Sequence, residues 1–442
     1  MAMIDDELDD PGRIEKGDGR ERAVLLTLAA VQFTSIVDFM VIMPLGPQLM
    51  RTLALTPAQF GLVVSSYTIA AGVAGLVASA LVDRFGRKAA FLALYTGFLI
   101  GTLLCGLAPS YATLLAARVV TGCFGGVLGG MALAIIGDVF PEQRRGTATA
   151  ALMSAFALAS VVGVPFGLYV GTHRGWHAPF LLLAVLGCPV LAVALRALPP
   201  LRGHLGKAAA DHPLARVVET FTHPNHLRAF ALIVTLMFGG FAVIPYISPY
   251  LVANVGVTEA ELPWVYVAGG GLTLVAAPVI GRLADRYGKL RVYRVVAPVS
   301  AALMLAVTNL PRVPLAAAVA AVGALMVSNA GRMIAAMAMV TGSVEPRLRG
   351  GFMSANSSVQ HLATGLGAFV GGLIIAKGAD GTLRHFDLVG LIAVVATLLS
   401  LWLAGRLRLA GSEVPTSAAF SLGAADEALG DPGDPLPAVE TL

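Results

Sequence analysis

The chain has 442 residues, of which 57% are hydrophobic and only 13% charged, with a mean hydropathy of +0.80. A soluble globular domain carries about 25% charged residues, so that class is excluded. A transmembrane barrel is excluded too, because the apolar runs are continuous rather than alternating. The net charge of +4 does not point to a nucleic-acid partner, since the basic residues sit in short turns between apolar runs.

Residues 1–22 are charged and predict a cytoplasmic amino-terminal tail. No cleavable signal peptide is expected, because the first apolar run is longer than a signal h-region. About 20 apolar residues cross a bilayer, and more when the helix tilts. That rule predicts twelve spans: 23–49, 59–81, 89–107, 112–139, 147–171 and 178–197, then 228–252, 262–283, 291–310, 313–340, 350–376 and 386–407. The first six make an amino-terminal bundle, 23–197, and the last six a carboxy-terminal bundle, 228–408. Residues 198–227, with Pro199, Pro200 and four histidines, read as a cytoplasmic linker. Residues 409–442 carry six acids and no lysine or arginine, and read as a disordered acidic cytoplasmic tail.

Lysine and arginine test this arrangement. With the amino terminus in the cytoplasm, 23 of the 30 basic residues fall in cytoplasmic segments and five in outer ones. The other two, Arg118 and Arg332, lie inside spans. This asymmetry follows the positive-inside rule and supports an even number of spans with both termini inside. The three cysteines, Cys105, Cys123 and Cys188, fall in apolar stretches without ligand spacing, so no disulfide and no metal site is expected. The histidines His204, His212, His223 and His226 form no clean ligand pattern either.

The chain repeats itself. Residues 79–88, SALVDRFGRK, return at 281–290 as GRLADRYGKL, offset by 202. The turn after span 2 (Asp83, Arg84, Gly86, Arg87) and its copy after span 8 (Asp285, Arg286, Gly288) suit a conformational latch. Glycine permits the reversal, and an aspartate at a helix end can pair with an arginine or a helix terminus in one state only. The competing reading is a basic turn that only sets topology. These residues resemble the major facilitator superfamily signature Gly-x-x-x-Asp-Arg-x-Gly-Arg-Lys, and the resemblance extends over all twelve spans. Ser79 replaces the first glycine, whereas the second copy keeps Gly281. The resemblance implies an all-α membrane protein with twelve transmembrane helices in two pseudo-symmetric six-helix bundles, its cavity lined mainly by spans 1, 4, 7 and 10. It also implies a monomer without cofactor.

Span 1 holds Asp38, the one acid well inside an apolar run, and an intramembrane carboxylate marks function by default. The competing reading is a buried structural aspartate. Asp38 through Pro44 is similar to the span 1 motif of the drug/proton antiporters, the arabinose-efflux-like permease branch, which implies a proton or substrate carboxylate. Arg118 in span 4 must face a partner or a wet cavity. At 1.5 Å per residue it lies roughly 9 Å, and Asp38 roughly 16 Å, below the outer end of its span, a difference a guanidinium arm can bridge. Arg118 with Gly122 resembles the family's span 4 motif, implicated in proton transfer. Gly163, Pro165, Gly167 and Gly171 leave span 5 a bare face for helix packing and a bend. They resemble the family's antiporter motif, with Ala159 for one glycine and Val164 inserted before the proline.

In the second half, Asn329 and Arg332 on span 10 and Asn356, Gln360 and His361 on span 11 form a polar cluster. It suits substrate binding or interhelical hydrogen bonding. Arg332 suggests an anionic or zwitterionic group on the substrate, and His361 is the one of these whose ordinary titration falls near neutral pH. Phe238, Phe241, Tyr246 and Tyr250 on span 7 suit an apolar ligand. The expected function is secondary transport of a small organic molecule by alternating access in a bacterial inner membrane, with proton-coupled efflux through Asp38 and Arg118 as the first reading. Uptake symport of a polar or anionic metabolite is the alternative, and a non-transporting sensor the alternative of another class. No P-loop, HExxH or nucleophile–base pair supports an enzyme.

Overall fold

The computed structural model describes residues 11–81, 85–200, 220–345 and 348–408. Among them twelve helical rods run in two sets of six: α1 Pro11–Val41, α2 Pro57–Leu81, α3 Arg87–Gly106, α4 Tyr111–Val139, α5 Glu142–Arg174 and α6 Ala178–Ala197, then α7 Pro224–Val255, α8 Leu262–Tyr287, α9 Lys289–Thr308, α10 Leu315–Gly342, α11 Arg349–Ile374 and α12 Phe386–Arg406. Eleven of them are apolar enough to cross a membrane by themselves. The twelfth, α11, matches them in length at 26 residues but carries the polar run Ser354 to His361. It tolerates that run because α2 and α7 cover much of its surface. Most of the expected linker, 201–219, and the whole expected tail, 409–442, lie outside the described residues.

Prolines set the interruptions. The predicted span 23–49 divides: α1 stops at Val41, Pro44 sits in the following turn, and a short helix, Gly46–Thr52, restarts with Pro47 in its first turn. Proline lacks the N–H needed inside a helix and is tolerated at its start. In α5, Pro165 follows a π-turn, Ala159–Gly163, whose wider repeat lets the Val164 N–H reach the Ala159 carbonyl. In α7, Pro245 sits in a 3₁₀ turn, Ile244–Tyr246, and a π-turn, Leu251–Val255, ends at Gly256 with φ +96°. The predicted span 350–376 ends early, at Ile374, and a small antiparallel hairpin follows, Ala376–Lys377 against Leu383–Arg384. Asn254 clasps it, donating to the Leu383 carbonyl at 3.0 Å and accepting from its N–H at 2.9 Å.

The two halves meet unequally along their length. At the end away from the basic turns they share one apolar core, in which Leu45, Phe60 and Leu168 join Tyr246, Leu251 and Val265. Arg51 and Glu259 form an ion pair across that seal. At the basic end each half has a core of its own, around Phe91, Ile135 and Leu152 in one and Phe230, Tyr293 and Phe352 in the other. Between these ends α2 and α11 lie in close contact through small residues. Gly61 faces Ala368 and Gly372, Gly72 faces Ser358 and Leu362, and Gly365 faces Ser65 and Thr68. Small residues give such close approach where lipid supplies no hydrophobic drive between helices.

Candidate intramembrane charge site

Asp38 lies three residues before the end of α1, ahead of the Pro44 turn, and Arg118 two turns into α4. Both are completely buried. Arg118 Nη1 donates to Asp38 Oδ2 at 2.8 Å, and Thr102 of α3 donates to Oδ1 at 3.1 Å. Three helices of the first half are therefore joined at one carboxylate. The Arg118 guanidinium carbon lies 4.4 Å from the centroid of the Tyr67 ring, a cation–π contact with α2. Arg118 Nε and Nη2 have no hydrogen-bond partner. Gly122, one turn on, lets α4 approach α2 so closely that a Cβ there would collide with the Tyr67 carbonyl.

The pair is connected to the other half through its neighbours. Phe39 stacks on Tyr67 with centroids 5.4 Å apart and meets Phe241 of α7 at 6.1 Å. The glycine face of α5 receives α1 and the turn after it: Val37 and Phe33 cover Gly163, Val41 covers Gly167, and Leu45 of the turn covers Gly171. The π-turn before Pro165 meets Gly270 of α8, so α5 touches α1 on one side and the second half on the other.

The two basic turns are not equivalent. Asp83 and Arg84 lie outside the described residues. Gly86 precedes α3, and Arg87 Nε lies 2.6 Å from Asp138 Oδ2 near the end of α4, a half-buried ion pair. In the second copy Gly288 takes φ +97°, which only glycine adopts freely. There Asp285 and Arg286 are exposed, Asp285 makes no ion pair among the described residues, and Arg286 lies 5.4 Å from the Tyr287 ring centroid.

The second-half candidates separate into distinct places. Arg332 is buried inside the carboxy-terminal bundle, where Nη1 donates to Thr397 Oγ1 at 2.7 Å and Nη2 to Asn329 Oδ1 at 2.5 Å. Ser300 also donates to Asn329 Oδ1, at 3.3 Å. Gln360 donates to Met337 Sδ at 3.8 Å. His361 is half-buried next to it, and Asn356 is fully buried with neither amide atom bonded. Phe241 lies at the junction of the halves, while the Phe238 backbone abuts Gly367. Tyr246 is wedged into the shared core, its hydroxyl donating to the Ala368 carbonyl at 2.6 Å and its ring edge-on to Phe60, so it has no free face in this conformation. Tyr250 donates to the Leu310 carbonyl at 3.1 Å in the same core.

Thr102, Tyr67, Asp138, Ser300 and Thr397 complete these sites without having been singled out in the sequence. A weak signal existed for each. Four are polar side chains in apolar runs, and Asp138 is an acid at the end of a span beside basic turns. Hydroxyl residues are common in such spans, so the signal does not select them.

The family description Major Facilitator Superfamily matches this chain over residues 28–242 and 229–425. The Inner membrane transport protein YdhP of Escherichia coli (strain K12) is 26% identical over 371 residues, covering 82% of this chain and 91% of its own. The Putative transporter AraJ of the same organism is 24% identical over 274 residues, covering 61% of this chain and 68% of its own. A bacterial homologue of the human lysosomal transporter Spinster, solved in an inward-facing and unoccupied conformation, superposes with a TM-score of 0.72 at 17% identity, covering 88% of this chain and 98% of that one.

Proposed function

The chain belongs to the major facilitator superfamily and is a multi-pass membrane transporter, and from that premise we propose that it exports a small organic molecule in exchange for protons. The observation that carries this reading is the Asp38–Arg118 ion pair, sealed in the membrane interior and shared by three helices. Intramembrane carboxylates in transporters mark proton or ion pathways. Protonation of Asp38 removes the charge that holds Arg118. The guanidinium then keeps only its contact with Tyr67 and its polar neighbours, and the tie between α1 and α4 loosens. Phe39, adjacent in sequence, passes the change to Phe241 across the halves. A ligand or proton shifts such an equilibrium only by its differential affinity for the two states, and a charge pair present in one state supplies that difference.

In this reading the basic end is cytoplasmic. The shared core and the Arg51–Glu259 pair are then an outer seal, and the separate inner cores suit a cavity open to the cytoplasm. The Arg87–Asp138 pair biases the same equilibrium from the inner side. The transporter acts as a monomer, since each chain holds both halves and the site between them.

The test is proton flux in proteoliposomes containing a pH dye, with lipophilic cations, antibiotics, sugars and organic anions added in turn. Proton movement opposite to the substrate, lost in Asp38→Asn, is the expected result. Movement in the same direction would replace antiport by symport. Coupled flux that survives Asp38→Asn would remove this carboxylate from the proton step and make His361 the next residue to test.

A further inference from the structure

The carboxy-terminal half buries a cation that no charged group among the described residues neutralises. Arg332 is 2% exposed, and no carboxylate lies within ion-pair distance of it among the described residues. Its two bonded partners, Thr397 and Asn329, are both neutral. A guanidinium offers five N–H donors in one plane, and here two are used while the buried Nε has none. A buried charge without a counter-charge is costly, and intramembrane charges are held by a partner. Resting on the transport reading above, we propose that the missing partner is the substrate: Arg332 receives an acidic group, and the transported class is an apolar or aromatic organic anion.

The helix wall beside the arginine is thinned by a glycine. Gly240 of α7 is buried, yet a Cβ built on it would meet nothing closer than Ile244 Cδ1 at 3.8 Å, and then Arg332 Nη2 at 4.0 Å. The glycine next to it is different, since a Cβ on Gly239 would meet Ala396 at 3.0 Å. Gly240 therefore leaves a notch that one methyl group would fill, in van der Waals contact with the guanidinium. The next residue, Phe241, meets Phe39 of the first half. A ligand with its acidic end in the notch lays its body against these two rings, at the junction of the halves.

The chemistry of the notch selects a carboxylate or a similar anion. The flat edge of a guanidinium matches two oxygens at once. Asn329 accepts from Arg332 and Ser300 through its carbonyl oxygen, so its amide N–H groups remain to donate. A cationic ligand would meet like charge here, and a neutral one would leave the arginine unpaired.

The experiment is thermal unfolding of the purified full-length protein in detergent with matched ligands: 1-naphthoate, 1-naphthamide and 1-naphthylmethylamine, and the one-ring and three-ring members of each set. The carboxylates are expected to raise the Tm and the amides and amines to do so far less. The apparent Kd for the stabilising carboxylate should weaken tenfold or more in Arg332→Gln. It should weaken as much in Gly240→Val, which keeps the cation and fills the notch, and which decides the matter if Arg332→Gln does not fold. The proposal is overturned if no carboxylate stabilises the protein more than its own amide. It is also overturned if the shift survives in both variants, which would make Arg332 a structural residue. Binding is read without transport, so carboxylate binding through Arg332 without proton movement would sink the antiport reading and leave this one standing.

Discussion

Each half of the molecule buries one arginine in the membrane, and the two arginines are held in opposite ways. Arg118 faces a carboxylate at 2.8 Å and a tyrosine ring, so its charge is balanced within the protein. Arg332 faces a threonine and an asparagine, and among the described residues no carboxylate balances its charge. The sequence repeat does not carry this difference. Arg332 lies 214 residues after Arg118, not at the 202 or 204 of the matching turns, so it is not a copy of it. One duplicated scaffold thus gives a half whose buried arginine is paired with a carboxylate of its own and a half whose buried arginine, among the described residues, meets only neutral side chains.

Removing each arginine should separate the two cases most strongly. Arg118→Leu leaves Asp38 buried and without its cation, and loss of one partner of a buried pair costs about 3–5 kcal/mol. Arg332→Leu strands no charge and gives up two hydrogen bonds at about 1 kcal/mol each, offset by the desolvation no longer paid. Thermal unfolding in detergent should therefore show a large fall in Tm for the first and a small one, or none, for the second. Equal losses would end the contrast between the halves.

The basic turns should differ next. Asp138→Asn breaks the Arg87 pair, which is only partly exposed, and should cost about 0.5–1 kcal/mol of bias between states. Turnover in proteoliposomes should change a few-fold. Asp285→Asn has no ion pair to lose in this conformation and should leave turnover within error. A larger effect of Asp285→Asn would mean that its contacts form in the other state.

The far-end seal offers a smaller effect. Arg51→Ala removes the exposed pair with Glu259, for about 0.2–1 kcal/mol. It should raise, up to about fivefold, the alkylation rate of a cysteine placed at the half-buried Gln48 beneath the seal. An unchanged rate would show that the shared apolar core alone keeps this end closed.

The smallest effect lies in two matching helix caps. Before α2, the Thr56 N–H and hydroxyl donate to neutral Gln59 at 2.9 and 3.3 Å. At the corresponding position before α8, the Thr258 N–H and hydroxyl donate to Glu261 at 2.8 and 2.7 Å. These bonds hold the Glu261 carboxyl below its ordinary 4.5. A lowered folded value stabilises the fold above the unfolded pKa, and that contribution disappears as pH falls below 4.5 through the folded value. Glu261→Gln should reduce the fall in Tm between neutral and acid pH slightly. Gln59→Glu should enlarge it.

Much of the fold was legible along the chain because a bilayer imposes a simple rule. Long apolar runs, basic turns and the repeated Asp-Arg-aromatic-Gly motif determined twelve helices in two related halves. The rule fails at α11, where the polar run Ser354 to His361 is tolerated because α2 and α7 pack on the helix and bury Asn356 and Ser358, not because the run is apolar. It also fails at Pro44, Pro165 and Pro245, where the chain breaks or widens inside a run that hydropathy reads as continuous. Asp38 and Arg118 could be paired from the sequence, since Asp38 is the one acid well inside a span and the two residues lie at depths a guanidinium arm can bridge. Thr102, Tyr67, Asp138 and Thr397 could not, because many hydroxyl and acidic residues fit equally well and only packing selects among them. Charge and hydropathy act residue by residue, so the sequence by itself determined the membrane class, the number of spans and the presence of two intramembrane arginines. Whether each arginine meets a carboxylate, which tyrosine lies beneath a guanidinium, and which glycine leaves room beside one depend on helices far apart in the chain arriving at one point, and only the tertiary structure decided those.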